Sequence, residues 1–162
     1  MRKIDFKCDN LGGLAEVYAI PLSSYLRIRE DYTRNTKVLE VTNRDDIIAI
    51  PIIDDDTFSF SEIHKRDEGG DYFDIAIEGV IPGSAIDDDH IIETLQRGEW
   101  MVLTQDQNGV VRLSGNEDVL MSFEDTDTTG AQKRGKNQIQ FKFACRSAEK
   151  SVILDMDDLL NM

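Results

Sequence analysis

Residues 99–123 read EWMVLTQDQNGVVRLSGNEDVLMSF, and this stretch decides the fold. It opens on an apolar run, Trp100-Met101-Val102-Leu103, that carries the only tryptophan of the chain. Gln107-Asn108-Gly109 follows, and then Val110-Val111-Arg112-Leu113. Two β-prone runs joined by Asn-Gly predict a hairpin, with a type I′ turn because Asn and Gly tolerate φ > 0. Ser114-Gly115-Asn116 is a second turn signal, and Val119 to Phe123 reads as a third strand. The stretch therefore predicts a three-strand meander, which is architecture without chemistry.

Working outward, the same punctuation by glycine, proline and asparagine divides the chain into short runs. Glu16–Ile20 reads as a strand closed by Pro21, and Lys37–Val41 and Asp46–Ile50 flank a turn at Asn43-Arg44-Asp45. Ser23–Asn35 fits both helical and alternating spacing, and is taken as strand or irregular connection. Thr57–Ile63 alternates strictly, with Phe58 and Phe60 on one face and Ile63 off it, the pattern of a half-buried antiparallel strand. His64–Gly70 then reads as a polar loop, and Tyr72–Ile81 as another alternating strand. Gln138–Cys145 alternates most cleanly, and Val152-Ile153-Leu154 is a last apolar run before an acidic tail at residues 155–162. One helix is expected near residues 88–97: Asp87-Asp88-Asp89 supplies a cap and acidic first turn, Ile91, Ile92 and Leu95 an apolar stripe, and Gly98 the stop. The expected fold is thus a mainly β single domain over residues 1–162, a sandwich or barrel of about eight short antiparallel strands with one packed α-helix.

The charge balance narrows the function. Eighteen Lys and Arg against thirty-two Asp and Glu leave a net charge of −14, which is unsuited to binding nucleic acid or an anionic membrane through the bulk field. No apolar run approaches the ~20 residues of a membrane span, and no apolar core follows the charged opening MRKIDFKCDN. Cytoplasmic synthesis is expected, with Cys8 and Cys145 as reduced thiols.

Motifs for chemistry are sparse. The two histidines, His64 and His90, fall in a charged loop and in an acidic first helical turn, with no strained Gly-x-Ser-x-Gly nucleophile turn in the chain, so no catalytic residues are assigned and no enzyme is expected. Asp125-Thr126-Asp127-Thr128-Thr129-Gly130 resembles the start of a calcium loop, but its twelfth position is Lys136 where a bidentate carboxylate is needed. An Asp- and Thr-rich turn is the plainer reading, with Asp125 and Asp127 the residues a calcium site would use. Lys133, Arg134 and Lys136 form the only dense basic patch of this acidic chain. They read either as a solvated hairpin tip or as an assembly contact with the acidic face of an identical neighbour, which would favour head-to-tail association.

From Gly98 to Phe143 these features come in a fixed order: the tryptophan-bearing strand, the Asn-Gly hairpin, the Asp- and Thr-rich turn ending in glycine, the Lys- and Arg-bearing Gly/Asn turn, and an alternating strand with phenylalanines. In that order they resemble small proteins encoded in the tail-gene regions of prophages of gut bacteria. The resemblance implies a bacteriophage virion structural protein of the tail. Such a subunit would be non-enzymatic and cofactor-free, and would act as a homo-oligomer or with other structural subunits. The alternatives are a calcium-dependent binding module built on Asp125 and Asp127, and a small acidic adaptor or inhibitor of a basic protein.

Overall fold

The computed structural model describes residues 12–52, 57–82, 89–128 and 138–154. In chain order the elements are β1 (Leu14–Pro21), a 3-10 turn (Leu22–Ser24), β2 (Tyr25–Asp31), β3 (Thr36–Val41), β4 (Ile48–Ile50), β5 (Ser59–Asp67), β6 (Gly70–Pro82), α1 (Asp89–Arg97), β7 (Glu99–Asp106), β8 (Val111–Ser114), β9 (Met121–Thr128), β10 (Gln138–Ser147) and β11 (Val152–Leu154). The expected class is found: the described residues are mainly antiparallel β with a single α-helix, in a sandwich- or barrel-like arrangement, and with eleven strands rather than about eight.

β7 lies at the centre, and its sequence explains why. Trp100 to Thr104 are all buried, so this strand is covered on both faces and reads as a continuous run instead of an alternating one. Trp100 and Val102 face a core built from Val17 and Ala19 of β1, Ile75 and Ile77 of β6, Met121 and Phe123 of β9, Phe141 and Phe143 of β10, and Leu95 of α1. Met101 and Leu103 face the opposite way, against Leu39 of β3, Val111 and Leu113 of β8 and Leu154 of β11. β1 alternates in the same sense, with Ile20 on this second side. The β1–β7 layer is therefore the middle of three.

The meander expectation is corrected by the pairing. β1 takes one edge of β7 along residues 100–106, while the other edge is shared: β8 pairs with Val102–Gln105, and β9 meets only Glu99 and Trp100. β9 then continues into the second layer, in the order β9-β10-β6-β5. The turn before it requires glycine, because Gly115 has φ 84° and a β-carbon there would lie 3.2 and 3.4 Å from the Val119 and Trp100 carbonyl oxygens.

The first turn is also not type I′. Gly109 has φ 78°, whereas Asn108 is not in the left-handed region, and Gly109 N–H donates to Asp106 O at 2.9 Å while Asp106 N–H donates to Val110 O at 3.0 Å. This is the three-residue hairpin with a glycine bulge. The Asp106 side chain selects it: Oδ1 accepts from the N–H groups of Asn108 and Val110, each at 2.9 Å, and Oδ2 accepts from Arg112 Nη1 at 2.9 Å. Burial pushes this carboxyl up, but the Val110 N–H, the Arg112 guanidinium and the Asn108 N–H outweigh it and hold the pKa below its ordinary value. A depressed carboxylate stabilises the fold above its unfolded pKa of about 4, and that contribution disappears as pH falls through the folded value. Asp106→Ala is accordingly expected to cost about 1–3 kcal/mol at pH 7 in urea denaturation, with the gap to wild type narrowing by pH 3. A gap that stayed constant with pH would contradict the ionic origin.

Other departures have local causes. Residues 25–31 resolve into a strand paired with β3, where Arg27 Nε and Arg29 Nε both reach Glu40 at 2.7 and 2.8 Å. The strand expected over 46–50 contracts to Ile48–Ile50, because the Ile47 N–H closes a turn onto Arg44 O. His64–Asp67 belong to β5, so the expected polar loop shrinks to Glu68 and Gly69, held by Gly69 N–H donating to Asp67 Oδ1 at 2.7 Å. Asp125–Thr128 lie in β9, not in a turn.

Candidate interaction surface

Most strands here end where the core ends. The β5–β6 hairpin does not. Its strands run for 9 and 13 residues, and side chains 63–71 are exposed on both faces of the ribbon. Apolar burial holds its base, where Ile75 and Ile77 are buried and Phe60 is half-buried against the same core. Phe73, opposite His64, still packs half-buried against this core, and beyond that pair the ribbon is held by backbone pairing and charge.

The cross-strand register makes this explicit. Arg66 stands opposite Asp71 and binds it in fork geometry, Nε to Oδ1 at 2.6 Å and Nη2 to Oδ2 at 2.8 Å. His64 stands opposite Phe73, with ring centroids 5.2 Å apart, and its Nε2 lies 3.3 Å from Asp71 Oδ1. On the other face Lys65 Nζ meets Asp74 Oδ2 at 2.5 Å, and Arg146 of β10 reaches Asp74 Oδ1 at 3.2 Å while stacking over Tyr72. Arg66 holds the Asp71 carboxyl below the usual carboxylate value, and Lys65 does the same to Asp74, whose charge in turn raises Lys65. These pairs are solvent-facing and add little stability each. Their consequence is that the cations of the ribbon are already neutralised within the chain. β5 ends the sheet order, and among the described residues no strand pairs with its outer edge.

Of the residues singled out in the sequence, Lys133, Arg134 and Lys136 lie outside the described residues, as do Cys8, Asp54-Asp55-Asp56, Asp87-Asp88 and residues 155–162; Thr128 and Gln138, on either side of the basic segment, are cross-strand partners. Asp125 continues the inward-facing series Met121, Phe123, and its Oδ1 accepts from Gln96 Nε2 of α1 at 2.8 Å. Asp127 is two residues further along β9, in register with Ile139. Asp125 lines a shallow cleft of about 380 Å³ with Glu78, Glu124, Gln140 and Lys142, where Lys142 Nζ is already 2.7 Å from Glu78. Among the described residues no group of three or more His, Cys, Asp or Glu is placed to hold a metal ion. Cys145 is a free thiol whose pKa burial, helped by Asp74, pushes up to about 11. His90 is exposed on α1, and His64 lies in the charged cluster of the ribbon.

Sequence reasoning missed the hairpin because HKRDEGG looks like a loop by composition. One signal was present: Arg66 and Asp71 are spaced to face each other across a tight turn centred on Glu68-Gly69. Among the described residues no helix is long and apolar enough to cross a membrane. No family model, curated protein or solved structure matches this chain.

Proposed function

We propose that this chain is a non-enzymatic structural subunit that works by self-assembly, of the kind used in bacteriophage tails. The observation that carries the reading is the β5–β6 hairpin, a ribbon that extends past its own core and presents a nine-residue edge with which no strand pairs among the described residues. A strand edge offers regularly spaced N–H and C=O groups to another strand, and an extended ribbon reaches a neighbour without disturbing the fold behind it. The order of motifs over residues 98–143 supports the phage-tail form of the reading. Lys133, Arg134 and Lys136 supply a basic segment that an acidic neighbour would attract, giving a second, head-to-tail contact.

The test is solution mass by light scattering across protein concentration and ionic strength, with electron micrographs of any large species. Mass is expected to rise with concentration, and to rise further with salt, because screening relieves repulsion between chains of net charge −14. Addition of calcium or a chelator is expected to leave it unchanged. A monomer at every concentration and ionic strength would overturn the proposal.

A further inference from the structure

We infer that the outer edge of β5 pairs antiparallel with β5 of a second copy about a two-fold axis that passes beside Ile63. The inference rests on the self-assembly reading and names the contact that would begin it.

The argument is one of register. A two-fold axis perpendicular to the sheet preserves which side chains point up, so a residue can stand only opposite itself or opposite residues displaced symmetrically from it. For β5, reading SFSEIHKRD over 59–67, five centres leave five or more residues in overlap, positions 61 to 65, and centring on Ser61 pairs only residues 59–63 and sets the Phe60 ring against the Glu62 carboxylate. Centring on Glu62 sets two carboxylates against each other, and centring on Lys65 sets two ammonium groups together and His64 against Arg66. Like charges directly opposite are destabilising. Centring on His64 pairs Glu62 with Arg66 but stands the two imidazoles face to face and places Ile63 against Lys65.

Centring on Ile63 has no such conflict. Ile63, 53 % exposed in the single chain, meets its own copy and loses that surface to water. Glu62 stands opposite His64 twice, and Ser61 opposite Lys65 twice. Arg66 stands opposite Phe60 of the other copy, whose ring already has the Arg112 guanidinium 5.4 Å away within its own chain, so no like charge is directly opposed there and Arg66 stays in its fork on Asp71. The acidic tips at Asp67, Glu68 and Asp71 point away from each other in this arrangement, so the part of the ribbon with most negative charge is not confronted by its copy. Lys65 and Arg66 keep their intrachain partners Asp74 and Asp71, which removes the repulsion that edge cations ordinarily provide.

Ile63→Cys tests the register, because directly opposed residues of an antiparallel pair have α-carbons about 4.5–5.5 Å apart, within disulfide range. Mild oxidation is expected to give a covalent dimer whose link maps to position 63 of both copies, while His64→Cys gives none. Ile63→Lys, which places two cations on the axis at an exposed position, is expected to weaken self-association roughly tenfold or more with an unchanged melting temperature. If the wild type self-associates but Ile63→Cys does not cross-link and Ile63→Lys associates normally, this contact is wrong and assembly uses another surface. If His64→Cys cross-links instead, the register is wrong. A wild type that stays monomeric sinks the contact together with the reading it rests on.

Discussion

Trp100→Ala is expected to lower stability by about 3–5 kcal/mol, the range for removing a buried large aromatic side chain. Trp100 is 4 % exposed and ties β7 to α1. Its ring fills the core face of β7, and its Nε1–H donates to Leu95 O at 3.0 Å, satisfying a carbonyl at the end of α1. Gly98 completes the joint: a β-carbon there would lie 2.6 Å from the indole ring, so the chain passes from helix to strand directly across the ring. Removing the indole leaves a cavity between α1 and β7 and frees the helix end together. The midpoint of thermal unfolding should drop by roughly 10 °C for a chain of this size, with loss of helical circular dichroism below the main transition. Trp100→Phe keeps an aromatic ring, though a smaller one, and loses the donor, and should cost about 1–2 kcal/mol. A loss under about 1 kcal/mol for the alanine variant would show that α1 is held elsewhere.

That joint was partly legible in the sequence. The helix over residues 89–97 and the strand behind it follow from the Ile92–Leu95 stripe, Gly98 and the run after it, because burial leaves a pattern that periodicity can find. The apolar run Trp100–Leu103 marked the strand, but its coverage on both faces emerged only from the structure. The donor bond to Leu95 was not legible, since it depends on how closely Gly98 lets the two elements approach. Nor was the edge shared by β8 and β9, because a turn signal at Gly115 says that the chain reverses but not which neighbour it returns to. The candidate surface was hidden for the opposite reason. Between Ile63 and Asp71 nothing is buried, so hydrophobic alternation fades and the ribbon survives in the sequence only as complementary charges across a turn. Features built by packing were readable, and the exposed ribbon was not, because no burial marks its residues in the sequence.

The double variant Gly79→Ala with Phe141→Leu is expected to be more stable than the sum of its single effects predicts, by 1 kcal/mol or more, a coupling typical of residues in contact. Gly79 stands directly opposite Phe141 in the β6–β10 register. A glycine inside a 13-residue strand weakens it by roughly 0.5–1 kcal/mol relative to alanine, so an open site would gain from the change. This site is not open. A β-carbon at position 79 would lie 2.8 Å from two carbons of the Phe141 ring and 2.8 Å from Phe58. Neither ring can withdraw freely, since both are buried, pack edge to face with centroids 5.4 Å apart, and Phe141 also contacts Phe123 and Phe143. Gly79→Ala alone should therefore cost about 1–3 kcal/mol through overpacking despite its backbone benefit. Phe141→Leu alone loses aromatic contacts and leaves a void over the glycine. Combined, the new methyl occupies part of that void, so each change relieves the strain or cavity left by the other. Urea denaturation of the four proteins in the cycle measures this directly. Additive losses would mean that Phe141 does not lie over Gly79, and that the second layer reaches its curvature without the aromatic–glycine pair on which β10 and β6 are closed.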